Sequence, residues 1–192
     1  MNSQIYLYRY ANNTEANFKL ALAHFMHAEQ ILLEPTLLRN QQNKPYFAGN
    51  PFYLSKAHTD AHHFVAFSLE NLSIDFQDQR LIDTQKMSER FFTDDEKLWL
   101  NNQDPLAFYH VWTAKEAVIK YYSQNIEDVI DTFSTLKLLK KTDPDFSLRT
   151  YHIASCFGAV LAQNPFELSP YIVKDNGIIE QEEIKESDYA LR

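Results

Sequence analysis

The sequence predicts an α+β protein built of two similar α/β lobes, and three observations predict it. Stretches with two-residue alternation and stretches with helical spacing occur in mixed order along the chain. The order of helix plus sheet comes twice, on either side of a polar break near residues 77–85, so that an N-terminal α+β lobe spans 1–80 and a C-terminal α+β lobe with an acidic tail spans 81–192. With 45% hydrophobic and 14% aromatic residues in 192 positions, the chain has enough apolar mass for a packed interior.

Residues 4–10, QIYLYRY, alternate and read as a strand. Asn13 or Thr14 caps a helix expected to run to about Glu34, where Pro35 stops it; Phe18, Ala21, Leu22, Phe25, Ala28 and Leu32 recur at helical spacing. His24 and His27 lie three apart on it with no nearby third ligand, so they read as surface or core-edge residues rather than half a metal site. The polar stretch 35–51 reads as a loop, and strands follow at 52–55, 62–70 and 72–77. A helix covers 83–92. Thr93-Asp94-Asp95-Glu96 is a capping box that opens a short helix ending near Asn101. Asp104-Pro105, a cap followed by proline, starts a helix to Tyr122. The last third reads as strands at 132–139, 147–154, 158–163 and 171–174, followed by an acidic end that is frayed or weakly helical.

Composition excludes several functions. Gly49, Gly158 and Gly177 are the only glycines and stand far apart, which rules out a P-loop and a dinucleotide fingerprint. A single cysteine, Cys156, rules out a disulfide framework or a cysteine zinc cluster and suggests a reducing compartment. Net charge is −8, and residues 175–192, with six acids and two bases, supply half of it. Such a balance argues against a nucleic-acid partner while leaving room for a local phosphate pocket. No run of 18 apolar residues occurs, and the N-terminus lacks the order of a signal peptide. The expectation is a cytoplasmic monomer with no membrane partner.

Two places carry candidate chemistry. Projected at 100° per residue, the 105–122 helix puts Ala107, Val111, Ala114, Val118 and Tyr121 on one face and Thr113, Glu116, Lys120 and Ser123 on the other. Trp112 is expected at the helix edge near the strand bearing Asp75. Lys115 falls on the apolar side, where a lysine must snorkel or meet an anion. Glu116 and Lys120 are an i,i+4 pair, which taken alone is a surface contact. On the 72–77 strand, Ser73, Asp75 and Gln77 share a face that is either solvent-exposed or an oxygen-rich wall suited to Mg²⁺.

These residues also fall into blocks. Trp112-Thr113-Ala114-Lys115-Glu116-Ala117-Val118-Ile119-Lys120 matches W-[ST]-x-K-E-[AS]-x-x-K at every defined position, and Phe91-Phe92-Thr93-Asp94-Asp95-Glu96 matches F-F-[ST]-x-x-E. Ser73-Ile74-Asp75-Phe76-Gln77 approximates G-[IV]-D-[IV]-E. Lys44-Pro45 and Phe52-Tyr53-Leu54-Ser55-Lys56-Ala57 approximate K-P followed by F-N-[IL]-S-H-S. In order and spacing, residues 44–165 thus resemble the 4′-phosphopantetheinyl transferases of the larger type, which activate peptide synthetases and fatty-acid synthases.

The resemblance implies lobes related by a pseudo-twofold with a cleft between them. It implies transfer of the phosphopantetheine arm of coenzyme A to a serine of an acyl or peptidyl carrier protein. Asp75 and Glu116 would hold Mg²⁺; Lys44, Ser55, Lys56, Lys115 and Lys120 would contact the coenzyme; Glu116, or a water it orients, would be the base, with Lys120 beside it. The chain departs from the pattern at Ser73 for glycine, Gln77 for the second carboxylate, and Lys56 and Ala57 for histidine and serine. Lys56 is expected to offset the shortage of basic residues before Lys44. The departures leave a second reading, a non-catalytic homologue that binds coenzyme A or a carrier protein.

Overall fold

The computed structural model describes residues 2–124 and 130–187. Strand β1 (Ser3–Tyr10) leads to helix α1 (Glu15–Ala28), a short hairpin of β2 (Leu37–Arg39) and β3 (Pro45–Phe47), and strands β4 (Tyr53–His58), β5 (His63–Ser68) and β6 (Leu72–Asp78). Helices α2 (Thr84–Phe91), α3 (Asp94–Leu100), α4 (Ala107–Tyr122) and α5 (Leu136–Leu139) come next. Strands β7 (Ser147–Ile153), β8 (Cys156–Ala162), β9 (Phe166–Val173), β10 (Ile179–Gln181) and β11 (Lys185–Glu186) close the described chain. This is the mixed α+β class that the sequence predicts.

Two principal sheets lie face to face. The first has the order β10-β9-β1-β5-β4, with β9 parallel to β1, and the second the order β11-β7-β8-β6. Period-two alternation gives each strand one side for each layer. Ile5 and Leu7 of β1 and Phe64 of β5 meet Ile74 and Phe76 of β6 and Val160 of β8 in a core between the sheets. The opposite side of the first sheet, through Tyr8 and Phe67, packs on Phe25 of α1. The opposite side of the second, through Ala159 and Leu161, packs on Val111, Ala114 and Val118 of α4. The result is a helix–sheet–sheet–helix stack. A division of the chain at residue 80 assigns β9 and β10 to the second lobe, whereas the ladders place them in the first sheet.

Several local expectations are corrected. Helix α1 stops at Ala28 rather than near Glu34. Gln30 turns left-handed at φ 55°, its amide bonds to His27 and that of Ile31 to Met26, and Ile31 folds back onto the apolar cluster under α1. This is a Schellman ending without the usual glycine. The stretch 35–51 holds the β2–β3 hairpin rather than only loop. Residues 132–139, read as a strand, instead form helix α5 over Leu136–Leu139, whose leucines pack toward α4. Strand β9 starts at Phe166, before the 171–174 expected, and the acidic end contributes β10 and β11; residues 188–192 lie outside the described residues.

Candidate functional site

The site forms where the end of α4 meets β4 and β6. Helix α4 opens on a turn in which Asp104 accepts the Leu106 amide, and Val111, Ala114 and Val118 are buried as expected. The other face of α4 is not free. Thr113 is fully buried, and Ser73 of β6 donates its hydroxyl to the Ala117 carbonyl at 2.6 Å. A small side chain at 73 thus lets the helix lie close against the strand. The wall of Ser73, Asp75 and Gln77 therefore faces α4 rather than water. Trp112 points elsewhere than expected, stacking on Phe108 at 6.0 Å and meeting Phe91 and Phe92 rather than the strand of Asp75.

Asp75 and Lys120 form the centre of the site. The Lys120 ammonium lies 2.6 Å from Asp75 Oδ1, with the carboxylate 3% exposed and the lysine side chain 32% exposed. Gln77 donates its amide to Asp75 Oδ2 at 3.2 Å. Glu116 sits close enough for charge coupling: burial first, and then the Asp75 charge, push its pKa up to about 7, against the pull of Lys120. The negative charge of Asp75 beside the half-buried Glu116 carboxyl makes Glu116 favour a cation or a proton.

Beside them opens a cavity of about 250 Å³, lined among others by Lys44, Ser55, Lys56, Lys120 and Ser123. Lys44, next to the β3 edge, donates to the Lys120 carbonyl at 2.9 Å, a contact that the negative end of the α4 dipole favours. Ser55 of β4 accepts the Ile74 amide at 3.0 Å and so ties the two sheets together at the cavity. The Lys56 ammonium lies over the Phe18 ring at 3.8 Å and is not a free surface residue. Burial lowers the pKa of Lys44 and of Lys56, with the charge of Arg39 adding to the effect at Lys56. An anion in the cavity would relieve that cost. Ser123 reaches the wall because α4, like α1, ends on a left-handed residue that is not glycine (φ 55°), with Gln124 bonding back to Ile119.

Lys115 does not join this group. Its side chain has no exposed surface and bonds Glu96 at 2.9 Å and the carbonyls of Ile130 and Phe133 at 2.6 Å each. The anion met on the apolar face of α4 is thus Glu96 and not a ligand. Glu96 also accepts the backbone amides and hydroxyls of Thr93 and Thr135, giving a buried carboxylate five donors. The F-F-T-x-x-E and W-T-x-K-E-A blocks are joined by this pair. Sequence reasoning assigned Glu96 only its capping role; the signal for more was a buried lysine without a partner.

The donor set suits a hard cation. Among the described residues, no three of His, Cys, Asp and Glu cluster as ligands. A cation here would take Asp75 and Glu116 and complete its shell with water and ligand oxygens, an arrangement Mg²⁺ commonly accepts. The repulsion between the buried Asp75 and the half-buried Glu116, offset only in part by Lys120, fits such an ion.

Comparison with known proteins adds one finding. A family model described as the 4′-phosphopantetheinyl transferase superfamily matches residues 72–172, which include β6, the whole of α4 and most of β9. No curated protein matches the chain.

Proposed function

Because the chain belongs to the 4′-phosphopantetheinyl transferase superfamily, we propose that it transfers the phosphopantetheine arm of coenzyme A to a serine of an acyl or peptidyl carrier protein, with Mg²⁺ as cofactor. One observation carries this reading: Lys120 pairs with Asp75 and acts on Glu116, all from the matched blocks, and the same lysine lines a cavity also walled by Lys44 and Lys56. We read α1 with the first sheet and α4 with the second as the paired lobes of the superfamily.

In this reading the diphosphate of coenzyme A occupies the lysine-lined cavity. Asp75 and Glu116 would hold Mg²⁺, which neutralises charge on the diphosphate when bound. The three lysines bind and orient the phosphates. The carrier serine oxygen forms a bond to the β-phosphorus, and the bond from that phosphorus to the bridging oxygen breaks. The electron pair leaves on 3′,5′-ADP. The serine proton passes to Glu116 or to a water that it orients. Lys120, next to the same phosphates, stabilises the negative charge that develops as the leaving group departs.

Incubation with coenzyme A, Mg²⁺ and a panel of apo carrier proteins, followed by mass measurement of each carrier, tests the proposal. Addition of one phosphopantetheine mass is the expected result. The neutral Gln77 in place of a second strand carboxylate favours the alternative, a non-catalytic binder of coenzyme A or carrier protein. Binding without any mass increase across the panel would establish that alternative.

A further inference from the structure

We infer that Lys120 is an exchangeable stand-in for the metal ion, so that the protein takes up the divalent cation and the diphosphate together and binds either one weakly alone. This rests on the transferase reading above. Both oxygens of Asp75 are already engaged, Oδ1 by the Lys120 ammonium at 2.6 Å and Oδ2 by the Gln77 amide at 3.2 Å. A cation arriving alone must therefore displace or sit against a positive charge. Among the described residues it finds no third carboxylate, because Gln77 is neutral.

The position of Lys120 offers the way out. Its side chain runs from the buried Asp75 to the wall of the cavity, where Lys44 and Lys56 also lie. A diphosphate in that cavity offers the ammonium a second anion. Once Lys120 turns to it, Asp75 is released to the cation, and the same phosphate oxygens complete the shell of the cation. Each ligand then removes the obstacle to the other. Such coupling is reciprocal by thermodynamic necessity.

The test is Mn²⁺ binding, with Mn²⁺ standing for Mg²⁺, followed by electron paramagnetic resonance with and without saturating coenzyme A. For the wild type we expect weak binding alone and an affinity raised at least about tenfold by coenzyme A, within the usual range of coupling between sites. Lys120→Met should bind Mn²⁺ alone about tenfold more tightly than the wild type, as expected when a neighbouring positive charge is removed, and should lose most of the coupling. Gln77→Glu should also tighten binding of Mn²⁺ alone but keep the coupling, and it carries the test if Lys120→Met does not fold. A wild-type affinity indifferent to coenzyme A, or a Lys120→Met variant that binds no more tightly, overturns the inference. If coenzyme A binds under no condition, the transferase reading fails; inorganic pyrophosphate then replaces it in the coupling arm, and the Lys120→Met comparison needs no coenzyme.

Discussion

Two acidic side chains in this protein, the buried Glu96 and the half-buried Glu116, are held under opposite circumstances. Glu96 is saturated by five donors, one of them the ammonium of Lys115. Removing one member of a buried ion pair while leaving the other typically costs about 3–5 kcal/mol. Lys115→Met should therefore lower stability by that amount in urea unfolding. The double variant Glu96→Gln, Lys115→Met should recover much of it, because no charge is then left unpaired. Equal losses in the single and double variants would mean that packing of the lysine stem, not its charge, is what matters. Glu116 is the reverse case. Burial and the Asp75 charge hold its proton to about pH 7, against 4.5 for an unperturbed glutamate. The folded state thus binds more protons than the unfolded state between these values. The stability this group contributes is complete below about pH 4.5 and is lost as pH rises through 7. Glu116→Gln does not titrate, so without divalent metal its stability relative to wild type should climb over that window. We expect a gain of about 1 kcal/mol or more, or roughly 2–4 °C in melting temperature for each kcal/mol. A constant difference between pH 4.5 and 8 would count against the buried-carboxylate account.

At the scale of elements, α1 and α4 share one ending and use it differently. Both stop on a left-handed residue with a side chain, Gln30 and Ser123. At α1 the ending folds Ile31 onto the core and leaves Leu32 and Leu33 exposed; at α4 it brings Ser123 to the cavity. A left-handed conformation costs a residue with a Cβ roughly 1 kcal/mol. Gln30→Gly should remove that strain and raise stability by up to about 1 kcal/mol, partly offset by the greater freedom of glycine in the unfolded chain. Thermal unfolding at fixed pH measures it, and a lower melting temperature would contradict the assignment of this turn.

For the whole molecule, the contact between the sheets is the joint that brings β6, which carries Asp75, against Ser55 of β4. Phe76 of β6 stacks on Phe64 of β5 at 4.0 Å, and its ring lies across Gly158, its partner in β8. A Cβ at 158 would stand 2.1 Å from that ring. The ring is fully buried and cannot swing out. Gly158→Ala should cost about 1–3 kcal/mol or more, the usual penalty of overpacking. Gly158→Ala combined with Phe76→Leu should recover part of it. A Gly158→Ala variant as stable as wild type in urea would show that the sheets can separate without cost.

The sequence by itself determined the α+β class, the capping box at Thr93, and the apolar stripe of Val111, Ala114 and Val118; the start expected at Asp104-Pro105 proved to be a turn, with the helix beginning at Ala107. Each of these depends on local spacing or on a few neighbouring residues, and local physics suffices for them. The blocks carrying Asp75, Glu116 and Lys120 were also legible, through their resemblance to the motifs of a known family; spacing alone left the Glu116–Lys120 pair a surface contact. Tertiary structure decided the rest. The fate of Lys115 depended on Glu96, 19 positions away and on another helix, and periodicity does not report which buried charge meets which. The polar face of α4 looked solvated until β6 covered it, because one helix projection cannot show what packs on its second side. The end of α1 carried no glycine to announce it, whereas the end of α4 fell at Tyr122 as expected. Residues 132–139 alternated enough to read as a strand, yet packing against α4 made their last four a helix. The return of β9 to lie parallel beside β1 was invisible for the same reason: pairing between segments more than 150 residues apart is settled by the two cores they close, not by either segment alone.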